Sequence, residues 1–185
     1  PPGAAPALGP GFVSDPGRLT PQTATPAARA APRLCLLAGA KPVLTDIHLF
    51  QSASPGERRL QGRMLERIEL LAGGRLALSW IVREDFLALG LDPDVSYDLS
   101  ALLRNIDGVE ASILFSESGP APEVGVKVSL RTLAPHDAIR VAALFGGGGH
   151  PRAAGCSLAG GLPEAKRLVA AAAMREFFPE AGAAV

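Results

Sequence analysis

Glu110-ASILFSESGPAPEVGVKVSLR-Thr132 decides the fold. Two runs rich in apolar residues, 110–117 and 124–132, flank Ser118-Gly-Pro-Ala-Pro122. In the second run a period of two sets Val124, Val126, Val128 and Leu130 against Gly125, Lys127, Ser129 and Arg131. Turn residues between two such runs predict an antiparallel hairpin. A hairpin among helices argues against a doubly wound parallel sheet. The expectation is an α/β (α+β) domain: a mixed β-sheet with flanking helices.

Upstream, Arg75–Val82 also alternates, with Leu76, Leu78, Trp80 and Val82 against Arg75, Ala77, Ser79 and Ile81, and reads as a buried strand. Before it, Ser54-Pro-Gly-Glu57 has the cap, the first-turn proline and the Glu of a capping box. Leu60, Met64, Ile68 and Leu71 follow at helical spacing until Gly73-Gly74 stops them. Arg59, Arg63 and Arg67 share another face, which could meet phosphates but reads first as solvated and balanced by Glu66 and Glu69. Ser96 is a cap for a helix bearing Leu99, Leu102, Leu103 and Ile106. Nearer the amino end, Thr25-Pro26 starts a helix that Pro32 interrupts, and 43–51 reads as a short apolar helix. Nine of the 17 prolines fall within residues 1–42, so that end is expected to be the least regular and 1–24 poorly packed.

Downstream of the hairpin, a helix at about 136–144 leads into Gly146-Gly-Gly-Gly149, then His150-Pro-Arg152. A strand near 155–158 and a helix from Pro163 to about Phe178 follow. Consecutive glycines cost conformational entropy and cannot fill a core. They offer backbone N–H groups with no side chain to hold a ligand away, the ingredients of an anion-binding nest. Arg152 can grip a phosphate through two N–H groups and His150 can donate one more. Neither a P-loop nor a dinucleotide fingerprint is spelled here. The face carrying Lys127, Ser129 and Arg131 also suits phosphate and sugar.

Lys plus Arg equals Asp plus Glu at 18 each, so the broad basic footprint of a protein tracking long duplex DNA is absent. A short single strand or a nucleotide suits that balance better. No apolar stretch approaches the ~20 residues of a membrane span, and the first residues do not read as a secretory signal. Cys35 and Cys156 read as buried reduced thiols. The expectation is a soluble, cytoplasmic protein.

Phe145-GGGGHPRAAG-Cys156 resembles the signature of the DHH-associated domain, subfamily one, of the DHH phosphoesterases. Val124-Gly-Val-Lys-Val-Ser-Leu-Arg131 and Asn105-Ile-Asp-Gly-Val-Glu-Ala-Ser-Ile-Leu-Phe115 match its context, and together they cover roughly residues 74–178. The nanoRNase and 3′-phosphoadenosine-5′-phosphate phosphatase type is the nearest group. Ala7-Leu-Gly-Pro-Gly-Phe-Val-Ser-Asp-Pro-Gly-Arg-Leu19 resembles the end of the catalytic DHH domain, which places Asp15 on a metal-ligand position with Pro16 where the family has Thr.

The resemblance implies three parts: 1–50 as a partial, helical remainder of the catalytic domain, 51–73 as a linker helix, and 74–185 as the substrate-binding domain. It implies Mn²⁺ or Mg²⁺ in the intact parent. Gly146, Gly147, Gly148, Gly149, His150, Arg152 and Arg131 are the implied substrate contacts, for short single-stranded RNA or DNA or a nucleotide. It also admits a homodimer of the whole protein. The family's Asp-x-Asp and Asp-His-His motifs do not occur in these 185 residues. The chain alone is therefore expected to lack phosphodiesterase activity. Two other classes stay open: a stand-alone RNA- or tRNA-binding module, like the related domain ending alanyl-tRNA synthetases, and a non-catalytic scaffold.

Overall fold

The computed structural model describes residues 53–94, 99–119 and 125–180. The chain divides into two compact units, Pro1–Ser54 and Pro55–Val185. Asp15, Cys35, His48, the Thr25-Pro26 start, the 43–51 segment and the Ser96 cap lie outside the described residues.

The elements run α1 (Pro55–Glu66), β1 (Glu69–Leu71), β2 (Leu76–Ile81), α2 (Arg83–Ala88), α3 (Ser100–Arg104), β3 (Ala111–Ser118), β4 (Gly125–Thr132), α4 (Ala138–Ala142), β5 (Gly148–His150), β6 (Ala153–Ala159) and α5 (Leu162–Phe177). The strands form one mixed sheet in the order β1-β2-β3-β4-β6-β5. β2 and β3 are parallel and joined through α2 and α3, while every other neighbour is antiparallel. The expected hairpin is present, with Ser118 opposite Gly125 and Ala111 opposite Thr132.

Alternation gives the sheet its two faces. On one, Leu78, Ile113, Phe115, Val126, Val128, Leu130, Ala154 and Cys156 pack with α4 and α5 in the larger core. On the other, Ala77, Ile81 and Leu114 meet Leu60 and Met64 of α1, Phe86 of α2 and Leu103 of α3. That second core takes sheet residues from β2 and β3 only. The sheet is thus sandwiched over β2 and β3, with α3 reaching across to β4, and is packed on a single side at β6 and β5.

Three elements depart from the sequence reading. The first helix stops at Glu66, and Glu69–Leu71 turns back as an edge strand on β2. The reversal needs positive φ at Ala72 (53°), Gly73 (67°) and Gly74 (93°), which the glycines supply, so strand pairing prevails over the helical stripe. The helix α2 lies in a stretch without a long apolar period. Its signal is Asp85, whose carboxylate accepts from the Val82 amide at 3.1 Å and caps the first turn. Lastly, half of the glycine run is not loop but the strand β5.

Asp85 also corrects the reading of the arginine face. Arg63 Nη1 lies 3.0 Å from Asp85 Oδ1, and Arg67 donates to both carboxylate oxygens. These arginines serve a distant buried acid; Glu66 adds only a smaller Coulombic pull on Arg67, and Glu69 pairs with Lys166. Burial alone would raise the Asp85 pKa. The Arg67 hydrogen bond, the Val82 amide, the Arg67 charge and the Arg63 hydrogen bond outweigh it and hold the carboxyl below its ordinary value.

Candidate phosphate-binding site

β6 sets the geometry of the glycine segment. Its register with β4 and β5 places Arg131, Ala153 and His150 in one row across three strands. The next row holds Ser129, Gly155 and Gly148, and Lys127 faces Ser157 in the row beyond. Residues opposed in register point to the same side of a sheet. Arg131, His150 and Gly148 therefore share the face that α4 and α5 leave bare, and Arg152 sits in the turn between β5 and β6.

The four glycines do different work. Gly146, at φ 71°, ends the helical turn after α4, and its amide donates to the Ala143 carbonyl. The Gly147 amide donates to the Ala142 carbonyl at 2.9 Å. These two donors close a helix end rather than line a nest. A Cβ on Gly147 would lie 2.1 Å from the Gly155 carbonyl oxygen and 2.5 Å from Cys156 Cβ. One on Gly149, at φ 140°, would lie 2.6 Å from the Ala153 carbonyl oxygen. At Gly148 a Cβ would meet nothing within 4 Å. Gly148 is the open point of the run. As the outermost strand, β5 also presents backbone groups that no further strand takes up.

Hydrogen bonds fasten the turn behind this surface. The Thr132 amide donates to the Arg152 carbonyl at 3.2 Å, and the Ala138 amide donates to the Pro151 carbonyl at 2.8 Å. Thr132 Oγ1, itself buried, lies 2.9 Å from the Pro151 carbonyl oxygen and 3.1 Å from that of His136. The Arg152 guanidinium donates to the same His136 carbonyl. His136 is held in turn by Glu110, 2.8 Å from its Nε2, and by the rings of Phe177 and Phe178, with centroids 5.3 and 4.9 Å away. Thr132, His136 and Glu110 escape sequence reading because Thr132 meets Pro151, and His136 meets Glu110, only through long-range contacts. Beneath the glycines, burial pushes the Cys156 thiol pKa up, so it stays protonated and inert.

Charge is distributed unevenly. Arg75, Arg140, Lys166 and Arg167 pair with Glu180, Glu176, Glu69 and Glu164. None of the positions of β3, β4, β5 and β6 on the bare face is acidic. His150 and Arg152 are exposed. Among the described residues no group of three or more His, Cys, Asp or Glu is placed to hold a metal ion, and His136 is engaged by a single carboxylate. The described residues therefore do not fit a catalytic metal pair. No described helix is long and apolar enough to cross a membrane.

Comparison with known proteins bears on the family and the fold. The family model described as the DHHA1 domain matches residues 77–178, from β2 to just past α5. The bifunctional oligoribonuclease and PAP phosphatase NrnA of Thermus thermophilus is 33% identical over 117 residues, 63% of this chain and 33% of that protein. The chain thus spans about a third of the length of this curated relative. The crystal structure of an exopolyphosphatase-related protein from Bacteroides fragilis has the same fold, with a TM-score of 0.79 at 21% identity, over 92% of this chain and 49% of that one. The sheet with its glycine turn, and the family match across it, lead to one conclusion: the chain belongs to the DHHA1 domain family, the domain associated with the DHH phosphoesterases.

Proposed function

We propose that this domain grips a phosphate of a short oligonucleotide or related nucleotide phosphoester on behalf of a metal-dependent phosphoesterase. The observation that carries the reading is the row Arg131–Ala153–His150 beside the open Gly148. A phosphate lying on that row meets a guanidinium and an imidazole with only the Ala153 methyl between them, and Arg152 at the adjoining turn. Gly146, Gly147 and Gly149 give the surface its shape, and Gly148 allows the ligand to approach the backbone. The name of the Thermus relative, an oligoribonuclease and PAP phosphatase, supports a nucleotide ligand.

In this reading Mn²⁺ or Mg²⁺ is held by the Asp-x-Asp and Asp-His-His carboxylates and histidines that these residues do not include, with Asp15 as one further ligand. The chain's own part is to bind and orient, and the division into 1–50, 51–73 and 74–185 belongs to the same proposal. Cytoplasmic work on short single strands is consistent with it.

The test is titration of a labelled 5′-phosphorylated dinucleotide at fixed low salt. A charge-assisted hydrogen bond is worth about 1.5–3 kcal/mol, so His150→Ala and Arg152→Ala should each weaken binding roughly ten- to a hundredfold. Unchanged affinity in both variants, with measurable binding by the wild type, would place the site elsewhere. Separately, the purified chain should not turn over the dinucleotide with manganese. Manganese-dependent turnover lost on Asp15→Ala would overturn the binding-only role.

A further inference from the structure

We infer that the row containing Lys127 is a second phosphate subsite, so the ligand is a single-stranded phosphodiester chain reaching beyond one phosphate. The inference rests on the reading above and extends it along β4. Lys127 stands between Ser116 of β3 and Ser157 of β6, and all three face the bare side of the sheet. Lys127 and Ser157 are exposed. The row is an ammonium flanked by two hydroxyls, a set that donates to anionic oxygen.

Its position relative to the glycine turn gives the ligand its length. Lys127 is four residues from Arg131 on the same strand, which at 3.3–3.4 Å per residue is about 13 Å. Between the two cationic rows lies the row Leu114–Ser129–Gly155–Gly148. From β4 outward it offers nothing larger than a serine. A Cβ at Gly155 would lie 2.8 Å from the Val128 carbonyl oxygen, so packing keeps that place free of side chain. Adjacent phosphates of one strand lie much closer than this, so two cation rows with a low floor between them suit a first and a third phosphate, with two nucleosides across the gap.

The charge pattern selects the occupant. Lys127 has no carboxylate partner among the described residues, whereas four other cations of the domain pair with glutamates. With no acidic side chain on this side of β3–β6, the strip attracts an anion along its whole length. An apolar partner surface would bury Lys127 unpaired, which is unfavourable.

The experiment compares adenosine 5′-monophosphate with 5′-phosphorylated di- and trinucleotides, using the intact chain and its Lys127→Gln, Arg152→Ala and Ser157→Ala variants. Lys127→Gln should leave monophosphate affinity unchanged and weaken the trinucleotide roughly three- to tenfold. It should also lower the slope of log affinity against log salt for the trinucleotide by about 0.7, the single-strand value for one phosphate contact. Ser157→Ala should show a smaller loss in the same direction. Equal trinucleotide affinity and salt slope in wild type and Lys127→Gln would overturn the second subsite. If Arg152→Ala weakens every ligand in that case, the first site stands without it. If Arg152→Ala also changes nothing, both readings fall together. Lys127 is exposed, so loss of fold is not expected; matching melting curves confirm that each comparison is fair.

Discussion

Thr132 Oγ1 lies 2.9 Å from the carbonyl oxygen of Pro151, joining the end of β4 to the turn between His150 and Arg152. The Thr132 amide holds the Arg152 carbonyl as well, so one residue fixes both peptide units of that turn.

Replacing Thr132 with Val keeps the shape and removes the hydroxyl. The expected result is a loss of about 1 kcal/mol of stability and a several-fold loss of dinucleotide affinity. Thr132→Ser should restore affinity more fully than it restores stability. Chemical unfolding and ligand titration on the same samples separate the two effects. Affinity that simply follows the folded fraction would remove any positioning role.

The glycine run yields an ordered series. Gly147→Ala should destabilise strongly, by more than about 2 kcal/mol, because its Cβ would run into the Gly155 carbonyl and Cys156. Gly148→Ala should leave the melting temperature nearly unchanged. Gly148→Val, bulkier at the same open point, should weaken nucleotide binding with little effect on the fold. Thermal melts of the three variants provide the check, and a Gly148→Ala protein as unstable as Gly147→Ala would refute the packing described.

Asp85 gives the domain a pH dependence with a definite sign. Its carboxyl is held below the ordinary value, here 3.8, by Arg67, Arg63 and the Val82 amide acting against burial. A group with a depressed folded pKa stabilises above its unfolded pKa and loses that contribution as pH falls through the folded value. Asp85→Asn should therefore cost about 1–3 kcal/mol at pH 7, allowing for the partial exposure of both arginines. The gap between variant and wild type should narrow as pH drops below about 4. Unfolding curves from pH 7 to 3 measure it, and a gap independent of pH would mean that the charge contributes nothing.

Much of the sheet was legible because period-two patterns are local. Leu76–Ile81 and Gly125–Thr132 read directly from alternation, the run 110–117 read as a strand from its apolar content and the turn residues after it, and Pro163 marked the last helix. The failures came where tertiary pairing decides. Glu69–Leu71 continues a helical stripe in sequence, yet pairs with β2 once Gly73 and Gly74 let the chain reverse. Gly148 and Gly149 have no side-chain pattern to read, so their place as an edge strand depends on β6 alone. At the candidate site, composition pointed to His150, Arg152 and Arg131. Thr132 and His136 left no local sign, because Pro151, Glu110 and the two phenylalanine rings that they touch are brought close only by the fold.

The half-sandwiched sheet has a consequence for how such a domain can change. Along β4, Val126, Val128 and Leu130 belong to the core, while Lys127, Ser129 and Arg131 belong to the bare side. Folding and, on the reading proposed above, recognition are thus written on alternate letters of the same strand. A lineage or an engineer can revise every second residue to suit a new ligand while leaving the interleaved letters untouched. Insertions have no such licence: a single added residue in β4 would exchange the two sets and send the recognition residues into the core.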